Sequence, residues 1–122
     1  MQSPKPYREE RPWGEFIEFT RNTPCTVKII VIKPHEALSL QRHAKRDEFW
    51  HVISGSGTLT IGTEKIEAVP GKQSFIARDT EHRMEAGPSE PLVVLEISLG
   101  SFEDSDIYRL DDRYGRADNI SS

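Results

Sequence analysis

Between Leu38 and Gly57 the chain reads Leu-Ser-Leu-Gln-Arg-His-Ala-Lys-Arg-Asp-Glu-Phe-Trp-His-Val-Ile-Ser-Gly-Ser-Gly. Two strand-like runs flank a charged turn. Strand alternation puts Ser39, Gln41 and His43 on one face and Leu38 and Leu40 on the other. Along the second run Glu48, Trp50 and Val52 share a face. If the two runs pair, Gln41, His43 and Glu48 converge on one inward point. An amide, an imidazole and a carboxylate then stand where aliphatic side chains would form a plain core. Burying such a set is costly unless something satisfies it, and a divalent metal ion is the simplest candidate.

The flanking sequence says what kind of fold can hold that point. Phe16–Phe19, Thr26–Lys33, Thr58–Ile61, Glu64–Val69, Gln73–Ala77, His82–Ala86 and Leu92–Leu99 read as strands. Asn22-Thr23-Pro24, Pro34-His35-Glu36, Ser54-Gly55-Ser56-Gly57, Gly62-Thr63, Pro70-Gly71, Arg78–Glu81 and Gly87-Pro88-Ser89 punctuate them. No stretch from 16 to 99 carries a helix-length 3.6-residue apolar period. The expectation is an all-β sandwich or barrel in a single domain over residues 1–122. The length of 122 residues is enough for a real core. A charged fraction of 30% and a net charge of -4 fit a globular protein, with no basic footprint for nucleic acid. No apolar run reaches membrane-spanning length, and Met1–Arg11 has no signal-peptide core, so the cytoplasm is expected. A lone cysteine, Cys25, allows no internal disulfide framework.

The ends are less regular. Residues 1–10 read as an extended arm. In Arg11-Pro12-Trp13-Gly14, Trp13 would either anchor an edge segment or, with Arg11, wall a ligand site. Asp104-Ser105-Asp106 could cap a helical turn through Leu110, and residues 117–122 are expected to fray.

Spacing sharpens the metal reading. Gln41 and His43 are two apart, and four residues separate His43 from Glu48. His82 opens a strand much later, so adjacent strands plus one from across a barrel could bring four ligands to one centre. Two imidazoles, a carboxylate and an amide oxygen suit Zn²⁺, Mn²⁺, Fe²⁺, Co²⁺ or Ni²⁺, with zinc the leading expectation. Without a thiolate, an open coordination position is expected rather than a closed structural site. His51, on the face opposite Glu48, and His35, in a turn, read as non-ligands.

The spacing of Gln41, His43, Glu48 and Gly55, then Gly71 and His82, resembles the two metal-binding motifs of the cupin superfamily. More specifically, Arg11-Pro12-Trp13-Gly14, Leu38–His43, Arg46, Glu48-x-Trp50, His82-Arg83 and Asp112-Arg113-Tyr114-Gly115-Arg116 resemble the C-terminal cupin domain of type II mannose-6-phosphate isomerases. Those proteins join the isomerase to a mannose-1-phosphate guanylyltransferase, whose nucleotidyltransferase half has no counterpart in these residues. The resemblance runs from about residue 11 to 116. It implies a jelly-roll barrel with a short irregular or helical C-terminal segment. It also implies Gln41 in the place of a first-motif histidine. Phe49, His35, Ala77, Asp79 and Ala86 depart from the usual pattern. Of these, Asp79 can still take a left-handed turn position.

The chemistry so implied is aldose–ketose isomerisation of mannose 6-phosphate to fructose 6-phosphate through an enediol. It needs a metal or equivalent to stabilise oxygens, a general base, and a grip on the sugar. Glu96 is the candidate base, because it interrupts the apolar strand Val93–Ile97; its face is open at this stage, and a buried ion-pair partner is the other reading. Lys45, Arg46 and Arg83 are candidates for holding a phosphate, with Arg11 and Arg116 reaching in from the termini. The phosphorylated sugar is the expected partner. Leu38, Leu40, Phe49 and Ile53 fall on the face away from the site. They form an apolar patch to be covered by the N-terminal segment or a second subunit, and a homodimer is expected. Two other readings compete: a non-catalytic, metal-containing sugar-phosphate binding module, and a metal cupin with oxygenase-type chemistry.

Overall fold

A computed structural model describes residues 6–115; parts of the expected arm, the tail 117–122 and Arg116 lie outside the described residues. Eleven strands and no helix make up these residues. Strands β1 (Tyr7–Arg11) and β2 (Gly14–Glu18) form a hairpin that is a sheet of its own. A four-stranded sheet runs β3-β10-β5-β8, from β3 (Cys25–Ile32), β10 (Leu92–Gly100), β5 (Arg46–Ser54) and β8 (Gln73–Ile76). A five-stranded sheet runs β11-β4-β9-β6-β7, from β11 (Tyr108–Asp111), β4 (Leu40–Arg42), β9 (His82–Ala86), β6 (Gly57–Ile61) and β7 (Glu64–Ala68). Every paired ladder is antiparallel.

The two larger sheets face each other across a core of Ile32, Trp50, Val52, Leu59, Ala68, Ile76, Met84, Ala86, Leu92 and Val94. Fully burying an aliphatic side chain of this size contributes about 1.5–3 kcal/mol. The interior is not uniformly apolar. Along β10 the inward residues run Leu92, Val94, Glu96, Ser98; along β5 they run Val52, Trp50, Glu48, Arg46; along β9, Ala86, Met84, His82. Register aligns Val94 with Val52, Glu96 with Trp50, and Ser98 with Glu48. Three strands thus switch from apolar to polar at one level, and one end of the barrel interior is polar.

Strand punctuation matches the chemistry of the turns. Gly62-Thr63 is the two-residue link between β6 and β7, with Gly62 at φ 61°. At Gly55 φ is +92°, and a Cβ would lie 2.0 Å from the Pro91 carbonyl oxygen, so only glycine fits there. His35 and Asp79 both adopt left-handed backbone, at φ 67° and 63°.

Four expectations are corrected. The runs 38–43 and 48–53 do not pair: β4 belongs to the five-stranded sheet and β5 to the four-stranded one. The link Ala44-Lys45 is a corner between sheets, because the Asp106 carboxylate accepts from both Ala44 N and Lys45 N, each at 2.9 Å. That same use of Asp106 removes the helix cap proposed for the C-terminal segment, and residues 108–111 instead add a strand to the edge of β4. Trp13 is neither anchor nor wall: Pro12-Trp13 is the tip of the β1–β2 hairpin and Trp13 is 72% exposed. Leu38 is not on the outer patch, whereas Phe49 is covered by the N-terminal segment as expected. Leu38 packs on the core, and the Phe19 ring lies 5.4 Å from that of Phe49. No helix among the described residues is long and apolar enough to cross a membrane.

The corner rests on a buried carboxylate with two backbone donors, and bonds to a charged group contribute about 1.5–3 kcal/mol each. Asp106→Ala is expected to lower unfolding stability by about 2–4 kcal/mol in urea titration. A loss below about 0.5 kcal/mol would show that the corner stands without it.

Candidate metal centre

The polar end of the barrel gathers side chains from facing sheets. His82 on β9 sits directly opposite Gln41 on β4, so the two share a face. His43 follows β4, and Glu48 comes from β5 across the interior. All three of His43, Glu48 and His82 are buried, with one ligand atom from each lying within 4.8 Å of the others. His43 Nε2 is 3.4 Å from Glu48 Oε2, and His82 Nε2 is 3.5 Å from Glu48 Oε1.

The hydrogen bonds behind the imidazoles decide which nitrogens face the centre. His43 Nδ1 donates to the Asp106 carbonyl at 2.7 Å and His82 Nδ1 to the Thr80 carbonyl at 2.9 Å. A carbonyl only accepts, so both protons sit on Nδ1 and both Nε2 atoms face Glu48 unprotonated. Burial lowers both imidazole pKa values, although the charge of Glu48 pulls the other way, and both rings are neutral at pH 7. Gln41 commits its amide nitrogen to Ser39 Oγ at 2.9 Å and the Ser39 carbonyl at 3.3 Å, which makes the oxygen its ligating end. Two neutral imidazoles aimed at one carboxylate, with an amide oxygen in the adjacent row, fit a divalent ion of the zinc or first-row transition type.

Glu48 is 1% exposed and carries the site's charge. Trp50 Nε1 donates to its Oε1 and Arg46 Nε to its Oε2, both at 3.2 Å. Burial opposes the charge, but His82, His43, a proton from Glu96 and the Arg46 guanidinium together hold the carboxyl below its ordinary value. Glu96 is inward-facing, which resolves the face left open by the sequence. Burial first, then the charge and hydrogen bond of Glu48, push it up to about 8, so it holds a proton at neutral pH. Its surroundings are a cavity of about 280 Å³ whose lining includes Gln41, His43, Arg46, Glu48 and Glu96.

The proposed phosphate ligands scatter. Arg46 is buried beside the cluster, its Nη2 donating to His43 Nε2 at 3.2 Å. Lys45 points outward to Glu103 at 3.3 Å. Arg83 alternates with His82 onto the outer face, where it donates to the Leu38 carbonyl and pairs with Asp111. Arg11 lies in the hairpin, paired with Glu9 and 5.3 Å over the Phe16 ring. None of Lys45, Arg83 and Arg11 lines the cavity. Two cations the motifs did not single out do: Lys28 and Arg109. The available signal for Lys28 was a charge inside the β-branched run of β3.

A family model described as mannose-6-phosphate isomerase C-terminal matches residues 5–112. The chain belongs to the mannose-6-phosphate isomerase C-terminal family. Xanthan biosynthesis protein XanB of Xanthomonas campestris is 36% identical over 107 residues, 87% of this chain and 23% of that protein. A mannose-1-phosphate guanylyltransferase of Klebsiella pneumoniae matches with the same identity and coverage. The chain thus spans under a quarter of the length of these relatives. A cupin protein from Bacteroides fragilis superposes with a TM-score of 0.59 at 28% identity, over 66% of this chain and 71% of that one. The family's C-terminal domain is therefore a cupin here, as the motif spacing implied.

Stability of the metal-free protein reports the carboxyl pair. Folded Glu96 holds its proton more tightly than the unfolded chain does, so its contribution is complete below 4.5 and is lost as pH rises through about 8. The depressed imidazoles act oppositely: their contribution is complete above 6.5 and fades as pH falls through their lowered values. From about pH 7.5 to 8, where the unfolded-state imidazoles are also neutral, the Glu96 effect dominates, and unfolding stability should fall by up to about 1.4 kcal/mol per pH unit. Glu96→Gln, which keeps a donor without a titrating group, should flatten that slope in urea titrations of chelator-treated protein. Equal slopes in wild type and variant would refute the protonated pair.

Proposed function

We propose that this chain is a metal-dependent sugar-phosphate isomerase domain that interconverts mannose 6-phosphate and fructose 6-phosphate. One observation carries the reading: a His43–Glu48–His82 cluster lies against a cavity into which a second, protonated carboxyl, Glu96, also faces. Membership in the mannose-6-phosphate isomerase C-terminal family supports the substrate class. His43, Glu48 and His82, with Gln41 beside them, would hold the ion, zinc by preference. A bound divalent ion would supply polarisation of substrate oxygens.

The remaining work falls to protein groups. Interconversion removes a proton from carbon 2 of the aldose, passes through an enediol, and returns a proton to carbon 1. One carboxylate that takes the first proton and delivers the second serves both halves, and Glu96 is the group placed for it once it has released the proton it holds beside Glu48, an ionisation that a bound divalent cation would favour. Glu48 is unsuited, because Trp50 and Arg46 occupy its oxygens. Arg46 sits beside the cluster and balances the negative charge that develops on the substrate oxygens.

The phosphorylated sugar is the proposed ligand, and a second copy of the chain the proposed partner. The β1–β2 hairpin is a two-stranded sheet by itself, an arrangement only marginally stable in water. It is rooted on the outer face of the four-stranded sheet by Phe19, whose ring lies 5.4 Å from both Phe49 and His51. On that face the edge strand β3 exposes Val27, Ile29 and Val31. Pairing two such faces in a homodimer buries the stripe and the hairpin together. Placement in the cytoplasm, where sugar phosphates are found, follows from the same reading.

The decisive assay is conversion of mannose 6-phosphate to fructose 6-phosphate with and without chelator, alongside metal analysis. Turnover lost on chelation and restored by metal is expected. His43→Ala should lose both metal and activity, whereas Glu96→Gln should keep the metal and lose about 10²–10⁴-fold in kcat. A metal-loaded protein that turns over no sugar phosphate would favour a binding module. Sedimentation at micromolar concentration should give a dimer, which Ile29→Glu converts to monomer; a monomeric wild type would remove that part of the proposal.

A further inference from the structure

The ladders place two charged rows opposite each other. In the five-stranded sheet, Arg109 on β11 pairs with Gln41 on β4, which pairs with His82 on β9. In the four-stranded sheet, Lys28 on β3 pairs with Glu96 on β10, which pairs with Trp50 on β5. Residues paired across a ladder share a face, so both rows look into the barrel. Strands β3 and β11 are the edges of their sheets, and Lys28 and Arg109 both line the 280 Å³ cavity. His82 thus lies at the inner end of one row and Trp50, which donates to Glu48, at the inner end of the other, with a cation at each outer end.

These two cations differ from the others around the cavity. Arg46 is committed to Glu48 and His43. Arg109 Nε is buried and has no hydrogen-bond partner among the described residues. Lys28 Nζ lies 4.3 Å from the centre of the Phe102 ring, and the Arg46 guanidinium carbon 4.2 Å from it. Phe102, itself on the cavity wall, thus holds both cations against its ring. Of the carboxyls lining the cavity, Glu48 is tied to Arg46, and Asp104 lies on the same wall as Arg109.

We infer that Lys28 and Arg109 form an anion clamp at the cavity mouth that takes the phosphate of a sugar whose reacting carbons lie at the His43–Glu48–His82 cluster. The inference rests on the sugar-phosphate reading and deepens it. Two strand spacings separate the Arg109 and His82 positions in their row, roughly 10 Å. That interval suits a phosphate several bonds away from the reacting carbons, as in a 6-phosphate. A 1-phosphate would put the anion beside the carboxylates. The clamp, and not Lys45, Arg83 or Arg11, then selects the terminal phosphate.

The test uses inorganic phosphate, mannose 6-phosphate and mannose 1-phosphate, with Lys28→Gln, Arg109→Gln and the double variant. Lys28 is exposed, so its replacement leaves the core untouched, and metal content and thermal melting check each fold. Inorganic phosphate, titrated by calorimetry, should bind wild type and lose about tenfold in affinity with each substitution. If the protein is an isomerase, KM for mannose 6-phosphate should rise in step while kcat and metal content hold. Mannose 6-phosphate should bind more tightly than mannose 1-phosphate in wild type, and the preference should vanish in the double variant. Phosphate binding that follows the variants without turnover would keep the clamp and discard the isomerase. Phosphate that fails to bind, or binds all four proteins equally, would overturn the clamp whatever the activity.

Discussion

The structure depends on how a single buried carboxylate, Glu48, is satisfied. At 1% exposure an isolated charge there would cost several kcal/mol. Its two oxygens instead accept from Trp50 and Arg46, Glu96 faces the same cavity, and two imidazoles face it. Each partner comes from a different constraint. Trp50 and Arg46 are two residues away on the same strand face. Glu96 is delivered by the β10–β5 register. His82 and His43 arrive from the opposing sheet.

That arrangement explains why the barrel interior is divided. Trp50 stands at the boundary, its ring within the apolar cluster and 5.5 Å from His82, its indole nitrogen on Glu48. Above it the sheets are held by aliphatic packing. Below it they are held by hydrogen bonds and charge, which are directional and leave room for a cavity. The Asp106 segment braces this polar end from outside. Its carboxylate fixes the sheet-crossing corner, and its carbonyl orients His43. The tail then reaches the opposite, apolar end of β9, with Arg113 donating to the His35 carbonyl and to Glu85, and Tyr114 to Glu36. The chain belongs to the mannose-6-phosphate isomerase C-terminal family and spans under a quarter of the length of its longer relatives.

Most strand positions, the all-β class and the residues of the buried His43–Glu48–His82 cluster were legible from the sequence for a plain reason. Period-two alternation, β-branched runs and Gly or Pro turns are local signals. The spacing of His43, Glu48 and His82 also survives translation into many backbone paths. The motif resemblance added the cupin topology, which alternation alone does not distinguish from other barrels. The reason for convergence was misread, however. His43 and Glu48 meet because their strands face each other across the interior, not because they are neighbours.

The sequence by itself determined that this chain would build short strands around a polar, metal-competent point, because residue type and spacing carry that information. Tertiary structure alone decided which charges share that point. Lys45 and Arg83 lie beside ligands in sequence, yet corner geometry and alternation turn them outward. Lys28 and Arg109, far apart in the chain, meet the same cavity because edge strands of opposite sheets border it. Which cations face an incoming anion is a matter of sheet order and register, and these long-range pairings leave no local mark on the sequence.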